Sequence, residues 1–170
     1  GFFEEYDRVV FYGAGSCGYA ASAFSVAAPG STVIALSPQA TLDSRLAIWD
    51  TRFPSTRRAD FTSRYGFAPH MIEGADAAWV LYDPYQTTDA MHAALFNAPH
   101  VTRRPVPHFG NDIESRLIEM DILEPILGLA MTGTLTSPAL TRLLRARRDN
   151  KPYLRHLLDA LDAKGNPNRI

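Results

Sequence analysis

Short apolar runs alternate with longer amphipathic stretches along most of the chain. Arg8-Val9-Val10-Phe11-Tyr12 is a β-branched and aromatic run that stops at Gly13-Ala14-Gly15-Ser16-Cys17-Gly18, and an Ala-rich stretch follows over residues 19–28. The pattern predicts strand, tight turn and helix, because glycines permit the turn and alanines let a helix approach a sheet closely. Pro29-Gly30 ends that helix, and Thr32-Val33-Ile34-Ala35-Leu36 is a second, fully buried strand closed by Ser37-Pro38. Residues 39–74, rich in Arg, Asp, Ser and Pro, are expected to form a loop with short helical pieces. A third strand at Ala77-Ala78-Trp79-Val80-Leu81-Tyr82 ends at Asp83-Pro84, and a helix is expected over residues 88–96. Val101-Thr102-Arg103-Arg104-Pro105-Val106 is a fourth strand near a sheet edge, since Pro105 donates nothing to a ladder. Helical patterns then cover residues 113–132, 137–148 and 151–163.

Strands alternating with helices predict an α/β fold with a mainly parallel sheet of at least four strands, flanked by helices on both faces. Residues 1–133 are read as the sheet domain, and 134–170 as a helical tail packed on or beside it.

The first turn supports three readings. Gly13, Gly15 and Gly18 satisfy the G-x-G-x-x-G dinucleotide fingerprint, in which backbone N–H groups and a helix N-terminus face a pyrophosphate. That fingerprint needs an acidic residue at the end of the next strand, where this chain has Leu36-Ser37-Pro38-Gln39; Asp43 and Arg45 both lie well into the following loop. Ala14-Gly15-Ser16-Cys17-Gly18 alternatively reads as a nucleophile elbow with Ser16 at its tip and the Cys17 N–H facing a developing oxyanion. The third reading is plain strand–helix packing by small residues.

The rest of the chain favours the elbow. A triad on this fold runs in the order serine, acid, histidine. Asp83 follows the third strand and His108 the fourth, and parallel strands bring their carboxyl ends to one edge. Ser16 would attack an acyl carbon, His108 would take its proton and Asp83 would hold the His108 tautomer. Asp89 is the secondary acid, although a charge role at a helix N-terminus suits it better. His92, one turn on, reads as a surface residue, and Cys17 as a buried, inert thiol. Trp49, Arg52 and Phe53 are read as a cap over the pocket or, more simply, as anchors of an ordinary loop.

These segments resemble bacterial α/β-hydrolase-like proteins, some of which occur beside polysaccharide-biosynthesis and glycosyltransferase genes. The likeness lies in Gly13-Ala14-Gly15-Ser16-Cys17-Gly18-Tyr19-Ala20-Ala21, against a common G-S-S-M-G-G-Y-A-A, followed by a strand ending Ser37-Pro38-Gln39. Tyr82-Asp83-Pro84-Tyr85 resembles the acid segment of that group, and Pro107-His108-Phe109-Gly110-Asn111 its histidine segment. The resemblance implies a serine hydrolase or acyltransferase acting on a small-molecule or glycan-linked ester or thioester, without a cofactor. It also implies strands upstream of the first one here, with a loop that donates the second oxyanion N–H. The edge beside Val9 and Tyr12 is then to be covered by further chain, a partner or a second copy in a homo-oligomer. The alternatives are a non-catalytic hydrolase-like module binding a partner or glycan, and a dinucleotide-binding domain.

Composition narrows these classes. The 170 residues carry 17 Lys+Arg against 18 Asp+Glu, a net charge of −1 that makes no general case for nucleic acid or an anionic membrane. The basic residues Arg142, Arg145, Arg147 and Arg148 read as a solvated helix face without interleaved aromatics. Cys17 is the only cysteine, so neither an intrachain disulfide nor a Cys-rich zinc site is expected, and the scattered His and Asp residues show no metal-ligand spacing. No apolar run approaches the ~18 residues of a membrane helix, and no signal-peptide pattern is visible, so the expected location is the cytoplasm.

Overall fold

The computed structural model describes residues 2–56, 59–163 and 165. Four strands, β1 (Val10–Ala14), β2 (Thr32–Leu36), β3 (Ala77–Tyr82) and β4 (Val101–Pro105), form one all-parallel sheet in the order β1-β2-β3-β4. The α/β architecture and the edge position of β4 are as the sequence pattern predicts. The helices are α1 (Ser16–Phe24), α2 (Ala68–Met71), α3 (Thr87–Leu95), α4 (Ile113–Glu119), α5 (Leu123–Met131), α6 (Ser137–Leu143) and α7 (Lys151–Asp162).

The strand order dictates the layers. Each crossover moves one strand in the same direction, and right-handed crossovers then fall on one face of the sheet. On that face Val33 and Ala35 of β2 and Ala78 and Val80 of β3 pack with Ala23 of α1, Ala68 of α2 and Ala93 of α3. On the other face Ile34, Leu36, Trp79 and Leu81 pack with Leu117, Ile126, Leu140, Leu144 and Tyr153 from the helices after β4. Alternation along β2 thus sorts small side chains to the crossover face and large ones to the face closed by the C-terminal helices. Residues 137–153 belong to the same core as the sheet.

Three element boundaries differ from the sequence reading. β1 runs over Val10–Ala14, so Gly13 and Ala14, expected in the turn, belong to the strand. The first helix begins at Ser16 and is already a 3-10 turn by Ser25. The single helical stretch expected over 113–132 is two helices, broken at Asp121, whose φ is 55°. Pro125 then falls in the first turn of α5, where its missing N–H breaks no bond.

The loop after β4 is tied to the C-terminal layer through Phe109, 1% exposed, whose ring meets Tyr153 edge-on at 5.5 Å. Phe109→Ala is expected to cost about 3–5 kcal/mol of stability, read as a lowered urea midpoint with the m-value retained.

Candidate functional site

All four strands release the chain at one edge. The ladder runs one residue beyond β1, β2 and β4: Gly15 N–H donates to Leu36 O, Ser37 N–H to Leu81 O and Val106 N–H to Tyr82 O, each at 2.8 Å. Three of the residues just past the strands have left-handed backbones: Gly15 (φ 54°), Ser37 (φ 43°) and His108 (φ 64°). Such strain in non-glycine residues persists only where the surroundings enforce it, and it concentrates at functional sites. Ser37 is 7% exposed, and its buried hydroxyl has no hydrogen-bond partner among the described residues.

The β1–α1 turn corrects the expected register of the elbow. Its sharp residue is Gly15, with φ 54° and ψ −120°, and Ser16 is already the first residue of α1. The close approach comes from Gly13 and Gly18: a Cβ on Gly13 would stand 2.3 Å from the Cys17 carbonyl oxygen, and one on Gly18 3.1 Å from Pro38 Cβ. A Cβ on Gly15 would meet nothing within 4 Å. Ser16 is exposed, and its hydroxyl makes no hydrogen bond to any described residue. Cys17, expected to be buried, is also exposed, because the helix starts early enough to put it on the outer side of the first turn.

The loops that carry Asp83 and His108 are joined to each other. Asp83 is 1% exposed. Its Oδ1 accepts from the Tyr85 N–H at 2.9 Å and its Oδ2 from the Gly110 N–H at 2.7 Å. The first bond is the local turn that Asp-Pro favours; the second fixes the histidine loop to the end of β3. The His108 ring stacks on Tyr85, with centroids 4.3 Å apart. Tyr153 on α7 donates from its hydroxyl to Pro107 O at 3.2 Å. Ser16 leaves the sheet two strands from Asp83 and three from His108, about 10 and 14 Å at the usual strand spacing.

The dinucleotide reading gains no acidic partner. Asp43 is bound by Arg45, with Oδ2 2.6 Å from the guanidinium, which also uses the cation considered for a 2′-phosphate. The monotonic strand order contains no reversal, the place where open α/β sheets hold nucleotides.

Local sequence reading missed a buried polar cluster behind this edge. His92 is fully buried rather than on the surface, because Asp50 and Trp49 from the long segment after β2 close over it. The Ala40 N–H donates to His92 Nδ1 at 3.1 Å, so the hydrogen-bond pattern assigns the proton to Nε2, which donates to Asp50 Oδ2 at 2.9 Å. Arg52 donates to both oxygens of Asp50, at 3.0 and 2.9 Å, and to Asp89 Oδ1 at 2.6 Å. Asp89 therefore anchors the loop that carries Arg52. The one signal in the sequence was the complementary pairing of Asp50-x-Arg52 with Asp89-x-x-His92, four polar groups whose charges can balance.

Burial opposes ionisation of Asp50, but the hydrogen bonds and charge of Arg52, together with the His92 hydrogen bond, outweigh it and hold the carboxyl at about 2. Burial lowers the His92 pKa further than Asp50 raises it. A second proton, on Nδ1, would also confront the Ala40 N–H.

Among the described residues no three His, Cys, Asp or Glu side chains are grouped to hold a metal ion, and no helix is long and apolar enough to cross a membrane. Comparison with protein-family models, curated proteins and solved structures finds no match to this chain.

The cluster makes a pH prediction. A folded-state pKa below that of the unfolded chain gives stability that is present above the unfolded value and lost as pH falls. For His92 that loss begins below about 6.5, and for Asp50 below about 3.9. The melting temperature is expected to fall from pH 7 to pH 5, and His92→Gln, less stable at pH 7, is expected to show a shallower fall. An unchanged slope in that variant would remove His92 as its source.

Proposed function

We propose that this chain is a hydrolase-like module that binds a glycan or glycan-linked ligand at the carboxyl edge of its sheet without covalent catalysis. The observation that carries this reading is Gly15. A nucleophile elbow holds its nucleophile on the strained residue between strand and helix, and that residue here has no side chain. The resemblance supports the same register. When G-S-S-M-G-G-Y-A-A is laid on Gly13 to Ala21, its G-x-S-x-G serine falls on Gly15, and Ser16 takes the position after it.

What remains at the edge suits binding. Asp83 fixes the Tyr85 and His108 segments to each other, and Tyr85, 54% exposed, presents a ring already stacked on His108. A rigid aromatic face flanked by polar groups is the kind of surface on which a sugar ring stacks while its hydroxyls are hydrogen-bonded.

The second reading is a serine hydrolase or acyltransferase acting on an ester or thioester through Ser16, Asp83 and His108. It draws on the exposure of Ser16 beside the apex. A fluorophosphonate probe separates the two. The binding module is expected to remain unlabelled, as is Ser16→Ala. Labelling that disappears in Ser16→Ala would overturn the non-catalytic reading and establish the second.

A further inference from the structure

We propose that the groove between α4 and α7 is a binding site for the phosphate groups of a small phosphorylated ligand. The groove, about 320 Å³ in volume, is lined by Arg116 from α4 and by Lys151, Pro152, Arg155, His156 and Asp159 from α7. Three permanent cations and an imidazole from two separate helices therefore face one concavity, with Asp159 the single acid among its lining residues.

One pair in this arrangement is unfavourable to folding, although Asp159, four residues after Arg155, partly offsets it. Lys151 and Arg155 stand four residues apart on one helix face, a spacing at which like charges repel. Arg116 adds a third cation from across the groove, and its guanidinium is engaged by Glu119 at 2.9 Å. Among the described residues, neither Lys151 nor Arg155 has an ion-pair partner. The basic residues on α6 and the turn after it lie along a continuous stretch of chain, whereas this group is assembled by tertiary structure.

The chemistry indicates the ligand class. Guanidinium groups bind phosphate oxygens through paired, charge-assisted hydrogen bonds, and an ammonium supplies a further point charge. The groove runs along α7 from its first residue, Lys151, to Asp159. Several cations around a volume of this size suit a multiply charged anion, such as a pyrophosphate, better than one carboxylate. The groove adjoins the histidine loop: a side chain built on Gly110 would meet His156 Nε2 at 3.9 Å. The proposal does not depend on what the carboxyl edge binds.

Inorganic pyrophosphate titrated into the full chain by calorimetry at low ionic strength tests it. Saturable binding is expected, weakened at least about tenfold in the double variant Lys151→Gln/Arg155→Gln, since each loses a charge-assisted bond. Arg142→Gln/Arg145→Gln, which removes the same charge from α6, is expected to leave affinity within about twofold. All four side chains are charged groups that do not form the core, and circular dichroism checks that each variant is folded. No binding to the unaltered protein, equal weakening in both double variants, or no weakening in the first would each overturn the proposal.

Discussion

The carboxyl edge depends on how closely α1 can approach β1. With Gly13 against the Cys17 carbonyl and Gly18 against Pro38, the turn between strand and helix is as tight as backbone contact allows. One residue must then absorb the reversal of direction, and the ladder decides which. Ala14 is the last residue in register with β2, and the Gly15 N–H makes the final bond, to Leu36. Gly15 is therefore the apex, and its left-handed backbone is one that glycine tolerates without penalty. The same tightness that a hydrolase uses to present a side chain here presents only backbone.

Support for the edge comes from two sides with different physics. Behind it, the segment after β2 is fastened by Asp50, Arg52, Asp89 and His92, with one guanidinium shared between two carboxylates. Such a cluster is costly to assemble and more costly to break singly, because a removed partner leaves an uncompensated buried charge. Its value lies in geometry: these bonds, with the Trp49 ring against His92, connect residues 49–52 to α3. On the opposite face, the histidine loop is held by apolar burial of Phe109 and by α7 through the Tyr153 hydroxyl.

The sheet was legible in the sequence because β2 and β3 are continuous apolar runs and Pro105 marks an edge. The placement of Ser16, Asp83 and His108 at one edge was legible too, since parallel strands must deliver them there. The elbow register was not. Ala14 and Gly18 bracket Ser16 as plausibly as Gly13 and Cys17 bracket Gly15, and only the pairing of Ala14 with Leu36 decides between them. His92 was also hidden. Charged and imidazole groups among alanines read as a solvated face, and what buries His92 comes from Asp50, 42 residues earlier, beyond the reach of any local period. The helix break at Asp121 had a local signal in Pro125, which can sit only in a first turn.

The division of the two faces explains why the C-terminal helices matter to the carboxyl edge. With all crossovers on one side, the other face of β2 and β3 would expose Ile34, Leu36, Trp79 and Leu81, a surface too apolar to leave in water. The chain after β4 must cover it, and does so with α4 to α7. Covering it brings α7 against the loop between Val106 and Gly110, so the helix that completes the core also braces the His108 segment. The cations of α7 that face α4 lie outside that apolar contact. Burial of Tyr153 fixes the helix, while Lys151 and Arg155 on its outer side are free of any packing requirement. Their placement beside Arg116 is thus a consequence of the core only in position and not in charge, and the charge is the part that a bound anion would account for.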